Sequence, residues 1–241
     1  MDLQRGTKSD GVKPTCMGDD DAGIVRLVGE GDGTTPSILS DRLSAVLDRV
    51  EDSGRAALLA LQDFCLGDDT HMHDRMEIGE HRHLEVQIRR MESLPIVSVA
   101  HIDGLCIGAS FELAVAADFR FATAEAGFKC PQVRNGYLPG LSVNRLPRLI
   151  GAGISRRLLL LGDTWGVIDA EEAGLIDGVL SADQLEEHVR ELAAKLPQDE
   201  GVALQMCRRL IGEAQNTDYD AGRGHFMAAQ NRCYDALDER K

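Results

Sequence analysis

The chain predicts an α/β fold with a helical C-terminal part. Short, mostly apolar runs (Ile24–Val28, Ala56–Leu61 and Ile96–His101) alternate with segments whose apolar residues recur at helical spacing. Beyond Gly140 the pattern turns helical to the end of the chain. With 241 residues, 43% of them hydrophobic, the chain can bury a sizeable core as one domain, or one domain with an appendage.

The elements follow in order. Residues 1–21 are polar and rich in Gly, Asp, Lys and Ser, which predicts a flexible tail. This segment has no apolar h-region of the kind a signal peptide carries. Ile24–Val28 reads as a strand, and Gly29–Pro36 as a loop. Leu39, Leu43, Val46, Leu47 and Val50 define one face of a helix ending near Gly54. Ala56–Leu61 is a second strand, followed by a loop at Phe64–Asp69 and a helix over Glu80–Met91. The Ile96–His101 strand leads through a turn punctuated by Gly104 and Gly108 into an Ala-rich helix with Glu112 in its first turn. Asp118–Ala122 is a further strand. Gly136, Pro139 and Gly140 then break the chain before a helical region containing Leu146, Leu149 and Ile150. Helices over Asp183–Leu196, Val202–Gln215 and Tyr219–Arg240 complete it. The expected organisation is a tail at 1–21, a core at 22–180 and a C-terminal helical region at 181–241, which the family resemblance given below implies is for oligomerisation.

Charge and composition exclude several classes. A net charge of −14 and a pI near 4.9 argue against a nucleic-acid partner. No run is long enough to span a membrane. The six cysteines lack metal-type spacing, and several sit in apolar runs as buried free thiols do, which fits a reducing cytoplasm. Four of the seven histidines fall in His71–x–His73 and His81–x–His83, beside Asp68, Asp69, Asp74 and Glu80. This segment reads as solvated, with no metal expected. Arg145, Arg148, Arg156 and Arg157 read as solvated helix faces or subunit contacts, and Trp165 as packing a helix–loop junction.

The stretch around Glu112 is the most informative. Free N–H groups at a helix start bind a negative oxygen, and a carboxylate one turn along moves protons beside it. Together they are the parts that stabilise the enolate of a thioester. The apolar neighbours Phe111, Leu113 and Ala114 predict a poorly solvated carboxylate with a raised pKa.

Four motifs occur in order: Phe64–Cys65–Leu66–Gly67–Asp68–Asp69; Asp103–Gly104–(x)3–Gly108–Ala109–(x)2–Glu112–Leu113–Ala114, followed by Asp118; Phe128–(x)2–Pro131–(x)4–Gly136–(x)2–Pro139–Gly140; and Gly162–Asp163–(x)5–Asp169–Ala170–(x)2–Ala173–Gly174–Leu175. Their joint order and spacing, from about Ile24 to Val179, resemble the enoyl-CoA hydratase/isomerase (crotonase) superfamily. The resemblance implies a spiral of ββα units, assembly as a homotrimer or hexamer, and an acyl-CoA or carrier-bound thioester as substrate. No cofactor is implied beyond the coenzyme A or phosphopantetheine of that substrate. The oxyanion-hole donors would be the backbone N–H groups of Asp68 and Ala109. Glu112 would be the first of the two catalytic glutamates of a hydratase, and Gln132 stands where the second would be. Gly67, Gly108, Pro131, Tyr137 and Gly140 would line the substrate.

The departures matter as much. An amide at Gln132 orients water but exchanges no proton at neutral pH, which argues against two-glutamate hydration and against double-bond isomerisation. Asp68 places an acid where a small residue is usual. Gly29–Gly33 lacks the basic element that often contacts the CoA nucleotide, which leaves a carrier-protein thioester open. Arg134 and Asn135 take usually apolar positions near the pocket. The resulting expectation is a one-glutamate hydratase or dehydratase. Its acidic character resembles secondary-metabolism members such as those of dihydroxyphenylglycine (antibiotic) biosynthesis. The alternatives are a decarboxylase or isomerase of the same superfamily, or a non-catalytic auxiliary subunit.

Overall fold

A computed structural model describes residues 23–29, 36–53, 57–65, 77–197 and 201–239. Five parallel strands form the main sheet: β1 (Ile24–Val28), β2 (Ala57–Gln62), β3 (Ile96–Ile102), β5 (Phe119–Ala122) and β8 (Gly178–Val179), in spatial order β1-β2-β3-β5-β8. A second sheet of three strands, β4 (Leu105–Ile107), β6 (Gly127–Lys129) and β7 (Thr164–Gly166), has β6 between a parallel β4 and an antiparallel β7. The chain thus visits the two sheets in turn. Strand β3 is followed at once by β4, and β5 by β6, before a helix carries it to the next level.

The apolar runs became strands because both faces of the main sheet are covered. All seven residues of β3 are buried, as continuous rather than alternating hydrophobicity requires of a parallel sheet. One face packs on helix α1 (Pro36–Ser53), whose Leu39, Leu43, Val46, Leu47 and Val50 are buried. Helix α2 (Ile78–Ser93) adds Leu84, Ile88 and Met91 to the same core. The other face is covered by α7 (Ala182–Lys195). Its Leu185, Val189 and Ala193 pack on Ile24, Leu58, Ala60, Val99 and Phe121. The ion pair of Glu186 with Arg26 at 2.7 Å adds to this contact.

Three details depart from the linear reading. The Gly-punctuated turn between β3 and the Glu112 helix contains strand β4, made possible because Gly104 adopts φ +87° and its carbonyl accepts from Gly127. The region after Ile150 is not uniformly helical: between α5 (Ala152–Leu161) and α7 lie β7, α6 (Val167–Glu172) and β8. Trp165 accordingly sits within β7 opposite Phe128, with the Arg157 guanidinium 5.9 Å from its ring centroid, rather than at a helix–loop junction. Elements of two or three residues carry too few side chains for periodicity to register.

The C-terminal α8 (Gly201–Glu213) and α9 (Tyr219–Asp238) flank a single 3-10 turn at Ala214–Asn216. Arg208 of α8 ties this hairpin to the core. It pairs with Asp118 at 2.9 Å and donates to the carbonyls of Leu94 and Met91 at the end of α2. Asp118 in turn accepts from the Ser98 N–H and hydroxyl, both at 2.8 Å. Arg120 of β5 is buried and donates to the carbonyl oxygens of Leu175 and Ala117, while its own N–H donates to Asp177. Among the described residues no helix is long and apolar enough to cross a membrane.

Removing Arg208 leaves the half-buried Asp118 carboxylate without its counter-charge, held by Ser98 alone, and takes a donor from two helix-end carbonyls. Arg208→Ala is expected to cost about 2–4 kcal/mol of stability, read as a lower urea midpoint with an unchanged slope.

Candidate active site

Helix α3 (Ala109–Ala116) lies at the centre of the core, and its first seven residues are all buried. Gly108 starts it with φ +62° and ψ −127°, a conformation that strains a residue with a Cβ. Ser110 holds the turn from both sides: its hydroxyl donates to the Ile107 carbonyl at 2.7 Å and accepts from the Ile107 N–H at 3.1 Å. At the first helical position, the Ala109 N–H has no intrahelical acceptor. Nothing in the sequence reading marked Ser110, whose small polar side chain inside an apolar helix was the available signal.

Glu112 sits one turn along, 5% exposed. Burial raises its pKa to about 7, against the lowering effects of the Leu141 N–H and the Arg145 charge, while Glu85 adds to the rise. The Leu141 N–H donates to Oε2 at 3.3 Å. The carboxylate fits there because residue 140 is glycine. A Cβ built at Gly140 would lie 1.9–2.1 Å from the carboxyl atoms of Glu112. Gly140 therefore serves this site by having no side chain, and at φ +50° it also needs glycine's freedom.

Two further side chains carry buried polar atoms without a partner among the described residues. Gln132, 4% exposed, follows β6 and Pro131, and its Oε1 is buried with no hydrogen-bond partner among the described residues. Its backbone carbonyl accepts from the N–H groups of Asn135 and Tyr137, which closes a tight turn around Gly136. His81, from the exposed end of α2, places Nδ1 3.8 Å from Glu112 Oε1. That nitrogen too is buried and unpartnered among the described residues.

Arg145 is not a solvated helix face. It lies on α4 (Ser142–Ile150) with its side chain 12% exposed, bidentate on Glu85 at 2.8 and 2.9 Å and donating to Glu92 at 2.8 Å. Burial opposes its charge, but the two carboxylates outweigh burial and raise its pKa. Sequence spacing could not show this cluster, because α2 and α4 meet only in the fold. Arg148 stays on the surface near Asn216, and Arg156 and Arg157 are exposed.

Among the other expected residues, Pro131 is buried, Tyr137 half-buried, and Arg134 and Asn135 exposed. The Arg134 stem lies over Gly162, where an added Cβ would meet it at 2.8 Å. Gly67, Asp68, His71 and His73 lie outside the described residues, so the structure presents one of the two expected oxyanion donors, Ala109. His83 points away from Glu112 to Asp41 at 3.2 Å. The described residues contain no group of three side chains able to hold a metal ion. Cys65, Cys106 and Cys130 are buried free thiols, whereas Cys207 is exposed.

Two outcomes follow from this packing. Gly140→Ala drives a methyl into the Glu112 carboxylate and is expected to cost about 2–4 kcal/mol. Gly136→Ala, at φ +85° with open space around it, carries backbone strain alone and is expected to cost about 1 kcal/mol. Chemical denaturation of both variants separates collision from strain. Glu112 itself burdens the fold when ionised. Its folded pKa of about 7 exceeds the ordinary 4.5, so the burden is absent below pH 4.5, grows between the two values and is complete above pH 7. Glu112→Gln is expected to stabilise the protein by about 3 kcal/mol at pH 8 and not at all near pH 4, measured as the pH dependence of unfolding.

Comparison with known proteins agrees with this architecture. The Enoyl-CoA hydratase/isomerase family model matches residues 37–229. The chain is 31% identical over 157 residues to a crotonyl-CoA hydratase of Syntrophomonas wolfei, covering 64% of this chain and 59% of that protein. It is 31% identical over 188 residues to the enoyl-CoA isomerase/hydratase fer4 of Mycosarcoma maydis, covering 74% and 66%. The matched stretch thus spans roughly three-fifths to two-thirds of these relatives' length. Among solved structures, an enoyl-CoA hydratase from Bacillus anthracis superposes with a TM-score of 0.75 over 90% of this chain and 86% of its own, at 24% identity, which speaks for the fold. With the family model covering the sheet strands β2 to β8, the Glu112 helix and most of the C-terminal helices, the chain belongs to the enoyl-CoA hydratase/isomerase family.

Proposed function

We propose that the protein is a hydratase or dehydratase of an acyl thioester, working with one carboxylate. The observation that carries this reading is Glu112, a buried acid held one helical turn from the free Ala109 N–H, with a pKa near the working pH.

In this reading the thioester carbonyl accepts from the Ala109 N–H and from that of Asp68. The hydrogen bonds strengthen as charge moves onto the oxygen, and each such donor contributes about 3–4 kcal/mol to the barrier reduction. Ionised Glu112 takes a proton from water while the water oxygen bonds to Cβ. The π electrons of the Cα=Cβ bond move onto the carbonyl as an enolate. The proton on Glu112 then passes to Cα, which restores the carboxylate. Dehydration runs the same steps backwards. Gln132 holds the water: its unpartnered Oε1 accepts one water hydrogen and its amide nitrogen donates, without titrating. The site asks for no cofactor beyond the pantetheine arm of the substrate.

A specialised acyl chain, on CoA or a carrier protein and of the polyketide type found in secondary metabolism, belongs to the same reading. It is supported by Gln132 in place of a second acid. Self-association as a trimer or hexamer is supported by exposed apolar side chains, among them Leu160, Leu161, Ile168, Phe226 and Tyr234.

Absorbance of the conjugated thioester, with crotonyl-CoA and 3-hydroxybutyryl-CoA, tests the reading. Wild-type turnover should rise with pH through a midpoint near 7, and Glu112→Gln should lose at least about 10³-fold in kcat. Turnover that survives this substitution would point instead to chemistry carried by the oxyanion donors alone, such as decarboxylation.

A further inference from the structure

We propose that His81 is the positioning residue of this site: its imidazolium faces the Glu112 carboxylate through Nδ1 and holds it ionised, in place of a second acidic group. The inference rests on the hydration reading for its catalytic consequence, but the pairing itself rests on geometry.

Three observations carry it. First, Nδ1 of His81 is 3.8 Å from Glu112 Oε1 and has no other partner among the described residues, although it is buried. A buried ring nitrogen without a partner is costly, and hydrogen bonds at catalytic groups are commonly long before substrate arrives. Secondly, the nearby cation that should balance Glu112 is already engaged. Arg145 is bidentate on Glu85 and also bound to Glu92, so that cluster carries one positive and two negative charges. Thirdly, Gln132, where the motif would place a second acid, is a buried amide that supplies no charge and no exchangeable proton.

The other groups around the pair belong in the same account. Glu112 also faces Glu85, Arg145 and the buried thiol of Cys130. His81 also feels Glu80, whose carboxylate is committed to the Ser37 hydroxyl and the Glu77 N–H. The ring thus lies beside two carboxylates, Glu80 and Glu112. The imidazolium keeps its own proton through the reaction. The proton taken from water goes to Glu112 and then to Cα, so the atoms balance without a transfer from His81. Its contribution is to keep Glu112 a carboxylate at pH values where burial alone would protonate it.

Two measurements decide the proposal. The ring resonances of His81, assigned by their loss in His81→Gln, are titrated by NMR in the wild type and in Glu112→Gln. A pair requires the His81 pKa to fall in Glu112→Gln by roughly half a unit or more. Coincident titrations overturn the pairing, whether or not the protein hydrates crotonyl-CoA. The pH profile of kcat is then compared between wild type and His81→Gln. The acid limb should move to higher pH, so that kcat falls about tenfold at pH 6 and much less at pH 8, with KM unchanged. A profile of unchanged shape overturns the positioning role. His83→Gln, whose ring faces Asp41 on the surface, should leave both profile and rate as they are. A wild type that shows no turnover while the two His81 titrations differ would refute the hydration reading and leave the pair standing.

Discussion

The structure turns on a carboxylate kept in the apolar interior at the start of a buried helix. Water would solvate Glu112 far better than the side chains around it, and the cost shows in a pKa near 7. The fold offsets part of that cost with one backbone hydrogen bond from Leu141 and with the Arg145 guanidinium. Several features elsewhere follow from it. Residue 140 must lack a side chain. The loop carrying it must reach over α3, and α4 must begin immediately afterwards so that its N-terminal backbone points at the acid. An acid burdened in this way is less stabilising than an amide would be, which is the usual price of a reactive group.

The charges around the site limit how far Arg145 can stabilise ionised Glu112. Arg145 is the strongest cation nearby, yet Glu85 and Glu92 occupy its donors. A free arginine in that place would pull the carboxylate pKa down and make it a poor base. The same cluster ties α2 to α4, the two helices that flank α3. Electrostatic tuning and mechanical support are thus one set of contacts, and the position of His81 at the start of α2 depends on them.

The chain belongs to the enoyl-CoA hydratase/isomerase family, and Gln132 is a buried amide where the motif would place a second acid. A second glutamate would have added a like charge within the same small volume and raised one of the two pKa values further. The amide avoids that repulsion and retains hydrogen bonds of both senses. Its Oε1 is buried, with no hydrogen-bond partner among the described residues.

The sequence by itself determined the longer elements and the chemistry at their joints. Ile24–Val28, the run at 56–61 and Ile96–His101 were legible as strands because short, mostly apolar runs of that length suit a sheet covered on both faces. The helix at Leu39–Val50 was legible from its spacing, and Glu112 from an acid placed among apolar neighbours just after Gly108. The tertiary structure alone decided the rest. Strands β4, β6, β7 and β8 have two or three residues each, and only pairing with distant partners makes them strands. The bidentate hold of Glu85 on Arg145 joins residues 60 positions apart, and the approach of His81 to Glu112 likewise crosses between separate helices. Local pattern records which faces are apolar, whereas distances between charged groups depend on how helices stack, and that is set by the whole core at once.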